Sequence, residues 1–170
     1  MSMRAAAVTY RVGTPEDGVA MLSIHTRAIE LVAVRDYGEA MARSWSHGLI
    51  AEGYSRSMAD GEIFEVAVCD GRVVGFCGYK GDEICGLYVD PDFGRRGIAS
   101  SLLDHALRAL QRHGRRCVIV DSSITALPFY RRHGFRVVKE RTRMTRGGME
   151  IPTADLEWHA PDAQFSSGTG

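Results

Sequence analysis

One segment near the middle of the chain constrains the fold more than any other. A strand predicted at residues 83–89 ends at Pro91, and apolar side chains at helical spacing predict a helix from residue 98 to about 113. Residues 117–120 then form a continuous apolar run, typical of a strand buried on both faces. Because a crossover helix joins the two strands, they should be parallel, and we expect a mixed α/β protein with one β-α-β unit near its centre.

Strand signals also precede this unit. Residues 7–12 predict a first strand, and the dipeptide Asp70-Gly71 suits a two-residue hairpin turn between strands at residues 64–69 and 73–79. With residues 83–89, the hairpin predicts an antiparallel meander that leads into the β-α-β unit.

A short helix and two strands are expected after the unit. The helix should span residues 126–133, where Pro128 is tolerated in the first turn if Thr125 caps it. Strands should follow at residues 135–139 and within residues 149–157.

The N-terminal part predicts helices. Residues 14–17 combine a hydroxyl cap, a proline at the first helical position and an acid three residues after the cap. A break at residues 36–38 should precede a second helix that carries Met41 and Trp45, whereas residues 47–61 give no clear prediction. The apolar face of the first helix should carry Ile24, Ala28, Leu31 and Val32.

Composition limits the class of protein. A length of 170 residues, 45% of them hydrophobic, suits one domain at residues 1–160, with a disordered tail at residues 161–170. Basic and acidic residues both number 21, so the zero formal net charge provides no general attraction to nucleic acid or anionic membranes. No apolar run approaches the roughly 18 residues of a membrane span, and residues 1–7 lack the apolar middle of a signal peptide. We therefore expect a soluble, cytoplasmic protein without a nucleic-acid or membrane partner.

Cysteines and histidines show no metal-ligand spacing. The cysteines lie in or beside apolar runs without a CxxC pair, as structural thiols do, and the histidines show neither HxxxH nor HExxH. We therefore predict no metal site from the sequence. The four cysteines are Cys69, Cys77, Cys85 and Cys117.

The turn before the central helix has the composition of an anion site. Backbone N–H groups and the positive end of the helix dipole should converge there, and Gly97 lets a ligand approach the backbone closely. Each hydrogen bond to a charged oxygen contributes about 1.5 to 3 kcal/mol, so three or four could hold a pyrophosphate. An ordinary loop with a solvated basic pair could have the same six residues. The surrounding sequence must therefore distinguish an anion site from such a loop. The turn consists of Gly94, Arg95, Arg96, Gly97, Ile98 and Ala99, with Ser100 next.

Two sequence blocks resemble the GNAT superfamily of N-acetyltransferases. Residues 89–99 resemble the family's acetyl-CoA signature, Gln/Arg-x-x-Gly-x-Gly/Ala, with Gly94 where Gln or Arg is usual. Residues 123–135 resemble its later motif, an Asn or Ser, an Ala, an aromatic-Tyr pair and a terminal Gly-Phe. In this sequence that motif is carried by Ser123, Ala126, Phe129, Tyr130, Gly134 and Phe135.

The resemblance implies a fold and a co-substrate. The fold is a central, mostly antiparallel sheet with one splayed pair of parallel strands, flanked by helices. The co-substrate is acetyl-CoA, whose pyrophosphate would bind the turn and whose pantetheine arm would pair with Leu87, Tyr88 and Val89 between the splayed strands. Ser123 would either bind the pantetheine or cap the short helix. Further cofactor-binding residues implied by the two blocks are Gly94 to Ser100, Ala126, Phe129 and Tyr130.

The same resemblance implies catalytic roles. Tyr130 matches the tyrosine that protonates the coenzyme A thiolate, although an aromatic core residue would look the same. Glu83, at the start of the strand that faces the thioester, would be the general base. Alternatively, Glu83 is only a charged strand end, and a water held by other groups accepts the proton. A backbone N–H near residues 87–89 would polarise the carbonyl.

The acceptor remains open between a small-molecule and a peptide amine. Residues 24–61 should set its specificity, with Tyr37, Trp45 and Tyr54 as pocket walls or as core residues. Dinucleotide and P-loop motifs are absent from the sequence, which argues against other nucleotide-binding enzymes. A non-catalytic acyl-CoA sensor is the alternative function, and Tyr130 argues against it. A homodimer formed through residues 149–157 is an expectation by analogy.

Overall fold

The computed structural model describes residues 7–162, and a seven-stranded sheet forms the centre of the fold. The strands are β1 Val8–Val12, β2 Ile63–Cys69, β3 Arg72–Lys80, β4 Glu83–Val89, β5 Cys117–Ser123, β6 Arg136–Met144 and β7 Glu150–His159. Their order across the sheet is β1-β2-β3-β4-β5-β7-β6. Residues 163–170 of the predicted tail lie outside the described range.

Helices cover both faces of the sheet. They are α1 Gly18–Ala28, α2 Val34–Ser46, α3 Ala51–Ala59, α4 Ile98–Arg112 and α5 Leu127–Arg132. The neighbouring strand residues Val66 and Ala67 belong to different core clusters, because successive side chains of a strand point to opposite faces. Val66 packs with α1 and α3, and Ala67 packs with α4. Within residues 7–162, no helix is long and apolar enough to cross a membrane.

Strands β4 and β5 form the one parallel pair of this sheet, and they separate almost at once. Their pairing is limited to Glu83 with Ile119 and Ile84 with Val120. Beyond these residues, β4 continues along β3 and β5 continues along β7, both antiparallel. This arrangement confirms the predicted mixed, mostly antiparallel sheet with a splayed parallel pair.

The first helix begins as predicted. The backbone N–H of Thr14 donates to the Asp17 carboxylate at 2.8 Å, which completes a capping box before a short 3₁₀ turn and α1. The predicted break is also confirmed, since Gly38 adopts φ 78° and ψ 166° inside α2. Helix α3 lies within residues 47–61, for which no clear prediction was possible.

A turn of π-helix at Ile29–Ala33 changes the apolar face that the sequence predicted. Regular α-helical spacing from Ile24 would bury Leu31 and Val32, but their exposed fractions are 49% and 36%. The wider turn shifts the register, so the residues at its two ends are buried instead. The prediction is therefore wrong for Leu31 and Val32 and right for Ile24.

The hairpin turn forms as predicted, and the last strand is paired on both sides over part of its length. Asp70 and Gly71 have φ values of 49° and 74°, as the predicted two-residue hairpin turn requires. Strand β7 pairs with β5 on one side and β6 on the other. Residues 153–157 therefore offer no free edge, whereas residues 150–152 pair with β6 alone, so a homodimer through residues 149–157 stays an expectation.

Two burial predictions for the central strands are also wrong. Ile119 is 38% exposed, because the face of β5 opposite α4 lines an open groove of about 470 Å³. Cys85 is exposed, since the β3–β4 register shifts near Gly78 and leaves this residue without a partner in β3. The sheet groove, as it is termed below, is lined by Glu83, Ile119, Val120, Asp121, Val138, Arg141, Asp155, Leu156 and Glu157.

Candidate active site

The turn between β4 and α4 is left-handed at two residues. Arg95 has φ 61° and Gly97 has φ 74°, and a Cβ atom at Gly97 would meet nothing within 4 Å. Gly97 is the N-cap of α4, so the N–H groups of the first three helical residues have no intrahelical acceptor. Arg95 and Arg96 are exposed beside them. The turn therefore offers free helix-start amides beside two exposed cations, a combination that suits an anion.

Asp90, which sequence reasoning missed, fixes the start of this turn. Its carboxylate accepts hydrogen bonds from the Asp92 N–H at 3.0 Å and from Arg27 of α1 at 2.6 Å. Its own N–H donates to the Val74 carbonyl at 2.8 Å, and the side chain is almost fully buried. The signal was available, because an aspartate before a proline favours a turn closed by its side chain.

The start of α4 is tied to the end of α5. The Nδ1–H of His133 donates to the Phe129 carbonyl at 3.2 Å, so Nε2 accepts from the Ser100 hydroxyl at 3.0 Å. Burial, with a smaller contribution from Arg132, lowers the pKa of His133, which suits this neutral form. The side chain of Ile98 is buried in the core, so it can offer a ligand only its N–H.

The divergence of β4 and β5 opens a cleft between the strands. Its outer part, of about 180 Å³, contains Leu87, Tyr88 and Val89 along one wall, and its inner part measures about 40 Å³. The two parts share five lining residues and are together termed the strand cleft. Residues that line both parts are Trp45, Leu87, Tyr88, Ser123 and Ala126.

Tyr130 lines the inner part of the strand cleft. Its ring packs edge-on against Phe129 and Phe135, with centroids 5.3 and 5.2 Å away, and the residue is only 3% exposed. Burial raises the pKa of Tyr130 well above its usual value, and Cys77 and Tyr88 act in the same direction. The hydroxyl therefore keeps its proton throughout the neutral pH range.

The residues before α5 have roles that the sequence left open or assigned wrongly. The Ser123 hydroxyl accepts a hydrogen bond from the Ala126 N–H at 3.1 Å, so Ser123 stabilises the helix start while it lines the strand cleft. Thr125 does not cap α5, because its hydroxyl donates to Asp36 at 2.7 Å. Ala126 occupies the N-cap position instead.

A second cavity, of about 320 Å³, lies on the side of β4 that faces α1 and α3. We term it the helix pocket. Cys85, Gly86 and Tyr88 line both the helix pocket and the inner part of the strand cleft, so the two cavities meet at β4. The other main walls of the helix pocket are His25, Tyr54, Arg56, Glu62, Phe64, Phe76 and Arg146.

The three aromatic residues considered as acceptor walls lie in different places. Tyr54 lines the helix pocket, where its hydroxyl lies 2.9 Å from His25 Nδ1, and Trp45 lines the strand cleft. Burial, together with two nearby arginines, lowers the pKa of His25 to about 3, so this ring is neutral. Tyr37 lines neither cavity, because its hydroxyl donates to the Pro152 carbonyl at 2.7 Å and accepts from the Ile124 N–H at 2.8 Å.

Two carboxylates near β4 line different cavities, and Glu83 lines neither the strand cleft nor the helix pocket. Glu83 lines the sheet groove, which shares Val120 and Asp121 with the inner part of the strand cleft. Burial raises the pKa of Glu83, and Asp121 adds to the effect. Glu62 lines the helix pocket, and burial raises its pKa as well. The sequence did not single out Glu62, because it follows the segment that gave no clear prediction.

Comparisons with known proteins agree on one family. Residues 33–150 match the model of the acetyltransferase (GNAT) domain. The uncharacterized N-acetyltransferase YafP of Escherichia coli (strain K12) is 31% identical over 133 residues, which cover 78% of this chain and 84% of YafP.

Solved structures share the fold. A GCN5-related N-acetyltransferase from Rhodopseudomonas palustris, described as "Aminotransferase, Class-II", matches with a TM-score of 0.84 and 25% identity over 94% of this chain and 99% of that one. The PaiA N-acetyltransferase of Thermoplasma acidophilum, solved in complex with coenzyme A, matches with a TM-score of 0.72 and 19% identity over 90% and 99% of the two chains.

The chain therefore belongs to the GNAT family of acetyltransferases, and the resemblance of its two sequence blocks is confirmed. It is an acyltransferase, and its co-substrate is acetyl-CoA. The residues present fit that molecule. The turn offers amides and charge for a pyrophosphate, and the strand cleft offers a narrow channel with an unpaired strand edge for a flexible arm.

Proposed function

We propose that this protein transfers the acetyl group of acetyl-CoA to a primary amine by direct attack within a ternary complex. One observation carries the proposal: the strand cleft and the helix pocket meet at β4, where both are lined by Cys85, Gly86 and Tyr88. A donor in one cavity and an acceptor in the other can therefore react without a covalent enzyme intermediate.

The donor would extend from the turn into the strand cleft. N–H groups of residues 94–100, with Arg95 and Arg96, would hold the pyrophosphate, and Leu87 to Val89 would pair with the pantetheine arm. Ser123, Ala126 and Phe129 would form the opposite wall or support it. Together these groups orient the thioester toward the helix pocket and reduce the entropy lost on reaching the reactive geometry.

The chemistry needs a neutral amine, a polarised carbonyl and a proton donor. An amine with the pKa of lysine costs about 4.6 kcal/mol to deprotonate at pH 7. As the amine attacks, the C–N bond forms and the C–S bond breaks, while a backbone N–H of residues 87–89 stabilises the carbonyl oxygen. Tyr130 gives its proton to the departing sulfur and regains one from solvent.

The two carboxylates would have different tasks. Glu83 would take the proton of the attacking amine, directly or through a water in the sheet groove, and its raised pKa makes it a better proton acceptor than an ordinary glutamate. Glu62, inside the helix pocket, would attract the cationic form of the acceptor before attack. Their separate cavities make the two roles separable by experiment.

The walls of the helix pocket suggest the kind of acceptor. Its aromatic floor, formed by Tyr54, Phe64 and Phe76, suits an apolar group, while Arg56 and Arg146 suit an anionic one. We therefore favour an acceptor whose amine is joined to an apolar part and an acidic group, as in an amino acid or the end of a peptide.

The test is a calorimetric titration with acetyl-CoA, followed by measurement of thiol release with a panel of amines. Saturable binding with amine-dependent release supports the proposal, and amino acids and short peptides should exceed simple polyamines. Binding without release for every amine would favour the non-catalytic sensor. Absence of acetyl-CoA binding would contradict the assigned donor site.

A further inference from the structure

Three side chains with metal-ligating atoms meet on β5 and β7, away from the strand cleft. Cys117 and His159 are direct partners in the antiparallel pair, and Glu157 lies two residues before His159 on the same face. The Cys117 Sγ atom lies 4.0 Å from His159 Nε2, which lies 3.3 Å from Glu157 Oε2. The three ligand atoms all lie within 4.8 Å of one another.

These separations are close to those around a tetrahedral zinc ion. Bonds of about 2.3 Å to sulfur, 2.0 Å to nitrogen and 2.1 Å to oxygen place the ligand atoms about 3.3 to 3.6 Å apart. The nitrogen–oxygen distance of 3.3 Å already lies in this range. The sulfur–nitrogen distance of 4.0 Å exceeds it by about 0.4 Å. Small rotations of exposed side chains would close that difference.

The backbone that carries the three residues is rigid. Strand β7 pairs with β5 from Thr153 to His159 and with β6 from Glu150 to Glu157, and the N–H of Ala160 donates to the Arg116 carbonyl at 2.7 Å just beyond the cluster. Ligands held on paired strands lose little backbone entropy on binding. The side chains are partly or fully exposed, so an ion can reach them from solvent.

The donor set selects the type of ion. A thiolate, an imidazole and one carboxylate favour Zn²⁺ and related transition metals over Mg²⁺ and Ca²⁺, which need oxygen ligands. With the thiol ionised, the thiolate and the carboxylate bring two negative charges to the cation. The sequence did not reveal this site, because its ligands come from two strands about 40 residues apart, with no short spacing motif.

We propose that Cys117, Glu157 and His159 form a binding site for a divalent transition-metal ion of the Zn²⁺ type, with water at the fourth position. On binding, the Cys117 thiol releases its proton to the solvent, and the ion joins β5 to β7. Because the ion binds the folded chain, it should raise the melting temperature by mass action.

The experiment uses untagged protein that has been treated with chelator and dialysed. Calorimetric titration with Zn²⁺ should show one site with a dissociation constant of about 10 μM or tighter. Titration with Co²⁺ should produce a thiolate-to-cobalt charge-transfer band. Cys117→Ser should remove that band and weaken Zn²⁺ binding at least about 10-fold, as should His159→Ala.

Two controls keep the result interpretable. Cys85→Ser removes the exposed thiol of β4, which lies outside the cluster, and should leave the Zn²⁺ affinity and the cobalt band unchanged. Circular dichroism would reveal whether Cys117→Ser or His159→Ala perturbs folding. In that case Glu157→Gln, which keeps the side-chain size, tests the third ligand. Absence of saturable binding up to about 100 μM Zn²⁺ would overturn the proposal. Equal binding by wild-type protein and Cys117→Ser would overturn it as well.

Discussion

Arg27 of α1 and Asp90, directly after β4, form an ion pair with an N–O distance of 2.6 Å. The carboxylate is almost fully buried, and it also accepts the N–H of Asp92. This pair joins the helix that covers the helix pocket to the turn proposed to hold the pyrophosphate. The walls of the two proposed substrate sites are therefore mechanically connected through one guanidinium group.

Arg27→Ala should lower both stability and acetyl-CoA affinity. The substitution leaves the buried Asp90 carboxylate without its cation, which should cost about 1 to 3 kcal/mol of unfolding free energy. The loosened turn should bind acetyl-CoA more weakly. Urea denaturation and calorimetry measure the two effects. Arg108→Ala, which breaks the exposed pair with Asp104 on α4, should change the unfolding free energy by less than about 0.5 kcal/mol. Equal behaviour of the two variants would contradict the role given to Asp90.

Tyr130→Phe should lower turnover by about 10²-fold or more while acetyl-CoA affinity stays nearly constant. The hydroxyl that would protonate the thiolate is lost, whereas the ring that packs against Phe129 and Phe135 remains. Steady-state kinetics measures the turnover, and calorimetry measures the acetyl-CoA affinity. Tyr10→Phe is a suitable control, because Tyr10 stacks on His105 beside α4 and lines neither cavity. Unchanged turnover of the Tyr130 variant would remove Tyr130 from the mechanism.

Glu83→Gln and Glu62→Gln should affect different kinetic constants. Because the pKa of Glu83 is raised above 4.5, activity should be complete at neutral pH and should fall as the pH decreases through that raised value. Glu83→Gln should lower kcat by about 10²-fold and abolish this acidic limb, as expected for loss of a base. Glu62→Gln should mainly raise KM for the amine. The pH profile of kcat, measured for both variants, shows which carboxylate acts as the base. Loss of kcat and of the acidic limb in Glu62→Gln, with only KM raised in Glu83→Gln, would make Glu62 the base.

Sequence reasoning predicted the centre of the fold well because local signals there agree. Strand β4 and the start of α4 lie at their predicted positions, which Pro91 and the apolar stripe marked, and the Asp70-Gly71 turn forms the predicted hairpin. At the π turn, in contrast, a single-residue change of helical register moved Leu31 and Val32 out of the core. No local pattern encodes that change, since the competing registers differ only in tertiary packing.

The candidate site was predictable only where one continuous segment forms it. The turn at residues 94–99 and the position of Tyr130 follow from contiguous motifs. Glu62, Arg27 and Arg146 reach the site through long-range packing, and Asp90 was overlooked although its turn signal is local. The pairing of Cys117 with His159 likewise requires the strand register, which the sequence does not specify.

Gly147→Ala should destabilise the protein through clashes with a single residue, Ser44. A Cβ atom at this position would lie 2.5 Å from the Ser44 hydroxyl and 2.8 Å from the Ser44 carbonyl oxygen. The neighbouring backbone is fixed, because the Gly147 N–H donates to that carbonyl at 2.9 Å. We expect a loss of about 1 to 3 kcal/mol, measured by urea denaturation. Gly53→Ala in α3, whose Cβ would approach no atom closer than 4.0 Å, should instead be neutral or stabilising by up to about 1 kcal/mol. Similar urea midpoints for Gly147→Ala and Gly53→Ala would contradict the close packing of Gly147 against Ser44.

Substitutions of Gly97 can separate backbone strain from charge in the proposed pyrophosphate site. Every side chain at this position pays for the left-handed conformation, about 1 to 2 kcal/mol, although nothing obstructs its Cβ atom. Gly97→Gln and Gly97→Glu are nearly equal in size and share this strain, but only the glutamate places a negative charge where the phosphates would bind.

Calorimetry should therefore show weakened acetyl-CoA binding for Gly97→Gln and no measurable binding for Gly97→Glu. Circular dichroism and melting temperatures should be alike for the two variants, because both carry the same backbone cost. Equal acetyl-CoA affinity of the two would mean that the anion does not bind at this turn. Loss of acetyl-CoA binding in Gly97→Glu alone would instead mean that a negatively charged group of acetyl-CoA lies close to Gly97.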